Sequence, residues 1–159
     1  MALLNIIEEE KDVSKALRKK SRYVDEITPR ILTLLDDMTE TLKASGGVGL
    51  AAPQVGVLKR VVVVDDGGKI LELINPEIVS TEGEIEDIEA CLSIPGKWGL
   101  VKRPLTVTVK AQNRKGEWVN HTGTGLIARC FCHEIDHLNG VLYTDKVIRM
   151  LSPEELESV

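Results

Sequence analysis

The chain reads as an α+β domain, with mixed and antiparallel β-strands packed around a central helix. Three observations predict it. Apolar residues recur at helical spacing near both ends of the chain. Period-two alternation fills the middle. Turn residues cut that middle into hairpins. With 159 residues, one domain covering 1–159 is expected, long enough for a real core. It divides into an N-terminal arm (1–27), a core (28–145) and a short tail (146–159).

The first 25 residues are charged and weakly patterned, which suggests a surface arm with a turn or two of helix. TPRILTLLDDMTETLKASGG then predicts an amphipathic helix. Thr28 suits the N-cap and Pro29 the first helical position. Ile31, Leu34, Leu35, Met38 and Leu42 share one face, and Gly46-Gly47 ends it. RVVVVDD and KILELIN read as two strands joined by a tight turn at Asp66-Gly67-Gly68. IEDIEACLSIPG shows no clear period and is expected to be a loop with one extended piece. LTVTVKAQN and EWVNHTGTG flank NRKG, a second hairpin. Leu126 to His137 returns to helical spacing, with Asn139-Gly140 as its stop. A short polar helix is expected after Pro153.

Composition narrows the function. The chain is 43% hydrophobic and 28% charged, ordinary for a globular protein. A net charge of −5 argues against broad nucleic-acid binding. Aromatic residues are only 3%, so Leu, Ile and Val must build the core. The N-terminal apolar run is short and acidic residues follow it, so no signal peptide is expected. No stretch approaches the roughly 18 apolar residues of a membrane helix, and a cytoplasmic location is expected. Three cysteines, Cys91, Cys130 and Cys132, argue against a disulfide framework.

Three clusters could carry chemistry. In CHEIDHLNG, His133 and His137 stand at i and i+4, so a helix aims both imidazoles at one point. Glu134, between them, is the general acid/base that such a motif uses beside a metal. The bland alternative is a solvated helix with chance histidines, yet two of only three histidines in the chain fall here. A catalytic metal usually takes three protein ligands and keeps one open position. Cys91, Cys130, Asp136 or a distant carboxylate could be the third. Cys130 lies on the same helix face as His133, but ligands on one helix approach from one side; a small buried hydrophobe is its ordinary role. Cys91 belongs to a separate segment and could close the site from across. Cys132 is expected to pack. The second cluster, EACLSIPG, carries Cys91 and, beside it, the Leu92 amide, a possible oxyanion donor. The third, GVGLAAPQVG, combines small residues that permit close backbone approach with the amide of Gln54. It lacks the G-K-S/T ending of a phosphate loop.

GVGLAAPQ, EACLS and HEIDH, in this order and at these separations, resemble the three motifs of the peptide deformylases. INPEIV, LSIPG and DHLNGVLY add to the resemblance, which covers roughly Thr28 to Asp145. Members are α+β enzymes that remove the formyl group from the N-terminal formylmethionine of new bacterial and organellar proteins. The resemblance implies one divalent metal, usually Fe(II), with Zn, Ni or Co also found, held by Cys91, His133 and His137. It implies Glu134 as general acid/base, Gln54 and the Leu92 amide as the oxyanion hole, and Val48, Gly49 and Ala90 against the substrate. Around them, Glu89 is expected to orient a ligating histidine, and Asp136 to pair with Arg103. The partners implied are formylmethionyl nascent peptides, with transient ribosome contact; nothing marks an obligate interface, so a monomer is expected.

The chain departs from the family pattern at three places. Ala90 replaces a glycine of E-G-C-L-S; a positive φ there would make the methyl a source of strain, and a place against the substrate would make it narrow the site. Cys132 replaces a glutamine. Arg129 stands where many members carry an apolar residue near the methionine pocket; it could face that pocket or simply point outward. The rival readings are a zinc peptidase, a degenerate deformylase that binds metal or nascent chains without turnover, and a closed zinc site using Cys91 and Cys130 together with the histidines.

Overall fold

Thr28 opens helix α1 (Pro29–Ser45), its hydroxyl accepting from the Ile31 amide at 3.4 Å. The proline at the first position lacks the N–H that a helix start leaves unbonded. Ile31, Leu35, Met38 and Leu42 are buried, while Leu34 lies half-buried at the edge of that face. Gly46 ends the helix at φ +72°, a left-handed conformation that glycine adopts without steric cost. The structure is a computed structural model and describes residues 2–157.

A five-stranded antiparallel sheet follows, in the order β1-β2-β3-β6-β7. Its strands are β1 (Gly49–Ala51), β2 (Val61–Asp65), β3 (Ile70–Glu82), β6 (Thr106–Gln112) and β7 (Trp118–Thr124). Both expected hairpins are present: β2 pairs with β3 and β6 with β7. Val61 to Val64 are all buried because the sheet is covered on both faces. Period two sends Val61 and Val63 to the cluster beneath α1. It sends Val62 and Val64 to the opposite cluster, with Ala128, Phe131 and Ile135.

Those last three residues belong to helix α2 (Leu126–Leu138), which carries HEIDH. Residues Ala128 to Ile135 are all buried. A helix buried on every side normally reads as apolar all round; this one carries Arg129, His133, Glu134 and His137 inside.

The stretch expected to be a loop is a hairpin. β4 (Ile85–Cys91) and β5 (Ile94–Arg103) pair antiparallel, and β8 (Val147–Met150) completes a second, three-stranded sheet in the order β4-β5-β8. The alternation was hidden because the inward positions at the end of β4 hold Glu89 and Cys91 where a core strand would hold valines. A short helix α3 (Pro153–Glu157) follows, as expected. The N-terminal segment makes two 3-10 turns, Glu9–Lys11 and Ala16–Arg18. Its Leu17 and Val24 are buried, and its Ile7 and Glu9 amides bond the carbonyls of Gln54 and Ser93.

Candidate metal centre

Two elements meet to form the site. α2 supplies His133 and His137 one turn apart; the end of β4 supplies Cys91. One ligand atom from each lies within 4.8 Å of the other two, and all three residues are buried. Cys91 Sγ and His137 Nε2 are 3.3 Å apart. Tetrahedral bonds of about 2.0–2.3 Å hold donor atoms roughly 3.3–3.8 Å from one another, so this edge fits a bound cation.

The histidine tautomer supports the same fit. His133 Nδ1 lies 2.6 Å from Glu89 Oε1. A carboxylate only accepts, so Nδ1 carries the proton and Nε2 keeps its lone pair for a ligand. Burial works to raise the Glu89 carboxyl, but hydrogen bonds from His133 and Arg103 overcome it and hold it at about 2. Arg103 grips Glu89 through Nε (3.2 Å) and Nη2 (2.9 Å) and reaches Asp136 with Nη1 at 2.7 Å. Glu89 thus lies between His133 and Arg103, and Asp136 beside Arg103.

Glu134 lies one position along the helix from His133. Burial pushes its carboxyl up to about 7. Its Oε1 is buried without a hydrogen-bond partner among the described residues. An unpartnered buried carboxylate oxygen is costly, and here it borders the donor set. Gly49 explains how β1 comes so near. A Cβ on it would stand 2.5 Å from Cys130 Sγ and 2.9 Å from Glu134 Cγ.

Gln54 follows β1 in a short 3-10 turn. Its Oε1 accepts from the Ala51 amide (2.9 Å), which turns Nε2 toward Ser93 Oγ (3.1 Å) and Cys91 Sγ (3.6 Å). Leu92 and Ser93 form the two-residue turn between β4 and β5. Ser93 carried no signal in the sequence, since a serine in a turn is commonplace.

Cys130 and Cys132 pack in the core cluster of the larger sheet and do not join the ligand group. Burial pushes the Cys130 thiol well above its ordinary range, which suits an inert core thiol. Ala90 is exposed and its φ is not positive, so the methyl costs no backbone strain and simply lines the cavity. Arg129 does not point outward: it lines the same cavity, is 4% exposed, and donates to Glu89 Oε2 at 3.0 Å.

Val48, Gly49, Ala90 and Leu92 line a cavity of about 430 Å³ that also reaches Gln54, His133 and Glu134. Ile88, Trp98 and Leu126 make its walls largely apolar. β1 and β4 are edge strands of their sheets, and both border it.

A Cys-His-His donor set with a buried carboxylate beside it, facing an apolar cleft in an α+β frame, is the arrangement of a metal-dependent hydrolase. The chain belongs to the polypeptide deformylase family, whose model matches residues 5–152. The match therefore takes in most of the N-terminal arm. The peptide deformylase of Acetivibrio thermocellus is 62% identical over 146 residues, 92% of this chain and 86% of the relative. That of Alkaliphilus metalliredigens is 58% identical, over 87% of this chain and 94% of the relative. Among solved structures, a peptide deformylase from Legionella pneumophila is 42% identical with a TM-score of 0.85, covering 98% of this chain and 90% of its own. The Thermotoga maritima enzyme also has a TM-score of 0.85 at 37% identity, covering 91% and 97%.

Proposed function

We propose that this chain hydrolyses the formamide bond of N-terminal formylmethionine on newly made proteins, releasing formate. Cys91, His133 and His137 hold one divalent cation, Fe(II) first and Zn, Ni or Co as substitutes. One observation carries the reading: donor atoms from β4 and α2 converge within 4.8 Å at the wall of an apolar cavity, beside a buried carboxylate.

Bound there, a divalent cation supplies Lewis acidity and lowers the pKa of water to about 7. The rest falls to the chain. Glu134 takes a proton from the attacking water and returns it to the departing amine. Gln54 Nε2 and the Leu92 amide donate to the charge that grows on the formyl oxygen. Glu89 keeps His133 in the ligating tautomer, and Arg103 holds Glu89 against it while bracing Asp136. The free edges of β1 and β4 offer backbone groups to an extended peptide, with Val48, Gly49 and Ala90 along its path. The methionine side chain enters the apolar cavity.

α2 is the central element of the fold on this reading, because it joins the larger sheet to the metal centre. The chain acts as one domain over 1–159, as a cytoplasmic monomer in passing contact with the ribosome. No helix among the described residues is long and apolar enough to cross a membrane.

The test is formate release from formyl-Met-Ala-Ser by the Fe(II)-loaded protein, kept anaerobic, beside Glu134→Ala. Turnover that falls by about 10²–10⁴ in the variant is expected. Stoichiometric metal without turnover in the parent chain would overturn the reading.

A further inference from the structure

Arg129 stands one turn before His133 on α2, so both side chains leave the helix on the side that meets the smaller sheet. Its guanidinium is buried and makes three hydrogen bonds. Nη1 donates to Glu89 Oε2 (3.0 Å) and to the Val101 carbonyl (2.9 Å); Nη2 donates to the Ile85 carbonyl (3.0 Å). Ile85 opens β4 and Val101 lies opposite Asp87 on β5, so one side chain from the helix grips both strands of the hairpin.

This grip has a consequence for the donor set. The two histidines ride on α2 and Cys91 rides on the β4–β5 hairpin. The set is complete only while the hairpin stays docked. The Glu89 carboxylate lies at that joint, two residues before Cys91. Its Oε1 meets His133 and Arg103, and its Oε2 meets Arg103 and Arg129. Arg103 reaches from the hairpin toward the helix, ending on Asp136. Arg129 reaches the other way. A lysine could not reproduce this, because a single ammonium lacks the planar fork that spans a carboxylate and two carbonyls.

We infer that Arg129 is a positioning residue for the metal centre, docking the hairpin that carries Cys91 onto the helix that carries His133 and His137. It does so through the Glu89 carboxylate and the Ile85 and Val101 carbonyls. The inference rests on the metal site proposed above and adds to it a residue that touches no ligand. Apolar side chains would satisfy packing at this position; three hydrogen bonds to the opposing sheet satisfy something more particular, the distance between two halves of one site.

The experiment uses the full chain loaded with Co(II), comparing Arg129→Met and Arg129→Lys with the parent. The readouts are the thiolate-to-cobalt absorption band, the rate of cobalt loss to a chelator, and the thermal midpoint. Arg129→Met should lose cobalt about tenfold faster or more, with a weakened or shifted band. Arg129→Lys should fall between it and the parent. Combined with Glu89→Gln, Arg129→Met should add less than its full separate effect, because the two share a contact. Cobalt loss within twofold of the parent and an unchanged band would overturn the inference, even if the thermal midpoint dropped. Full additivity with Glu89→Gln would overturn it too. Should Arg129→Met fail to fold, Arg129→Lys decides by the same two readouts. A parent chain with no thiolate-to-cobalt band would instead sink the metal site, which separates the two failures.

Discussion

α1 and α2 are both amphipathic by spacing, yet they serve opposite ends. α1 has a capped start, a glycine stop and one apolar face over the sheet, with charge on its outer side. Its cap, its stop and its apolar face all favour folding. α2 has no side-chain cap and buries an arginine, a glutamate and two histidines. Buried charge is costly unless paired, and much of the pairing comes from outside the helix, through Glu89 and Arg103. Both faces of the larger sheet bury apolar clusters, so both helices contribute stability. The difference teaches that α2 also holds buried ionisable groups in place, a cost that α1 does not carry.

Three substitutions press on that contrast. Leu35→Ala removes a fully buried side chain beneath α1. It should lower unfolding stability by about 2–5 kcal/mol, read by denaturant titration, while kcat of the metal-loaded protein stays near the parent's. A large fall in kcat at full folding would break the contrast. Gly49→Ala acts on the other side, driving a methyl against Cys130 and Glu134. Displacing Glu134 by even about 1 Å should cost on the order of 10² in kcat, measured as formate release. A variant with parent-like turnover would show that β1 yields freely there. Thr28→Ala, at the start of α1, is the mildest. Loss of a long cap bond should lower stability by about 0.5–1 kcal/mol, read as a shifted denaturation midpoint, with no kinetic effect.

The same contrast explains what could be read in advance. α1 and the two hairpins of the larger sheet follow from spacing and turn residues, and so does the HEIDH helix, because Ala128, Phe131, Ile135 and Leu138 keep helical spacing although polar residues are buried between them. The β4–β5 hairpin did not, because its buried positions carry Glu89 and Cys91, which break the apolar period. β8 was missed for a related reason: most of it is exposed. The Ala90 methyl, a possible strain by sequence, costs no backbone strain because its φ is not positive; it lines the cavity instead.

The sequence by itself determined the side chains of the candidate site. It placed two histidines and a glutamate on one helix, which needs only local geometry, and it supplied Cys91, Gln54 and the small residues of GVGLAAPQ. Tertiary structure decided which thiol meets the histidines, which way Arg129 points and which serine receives Gln54. Those outcomes depend on how a strand hairpin docks against a helix some 40 residues away in the chain. Docking is a balance of burial against pairing among residues far apart in sequence, and no local pattern records it.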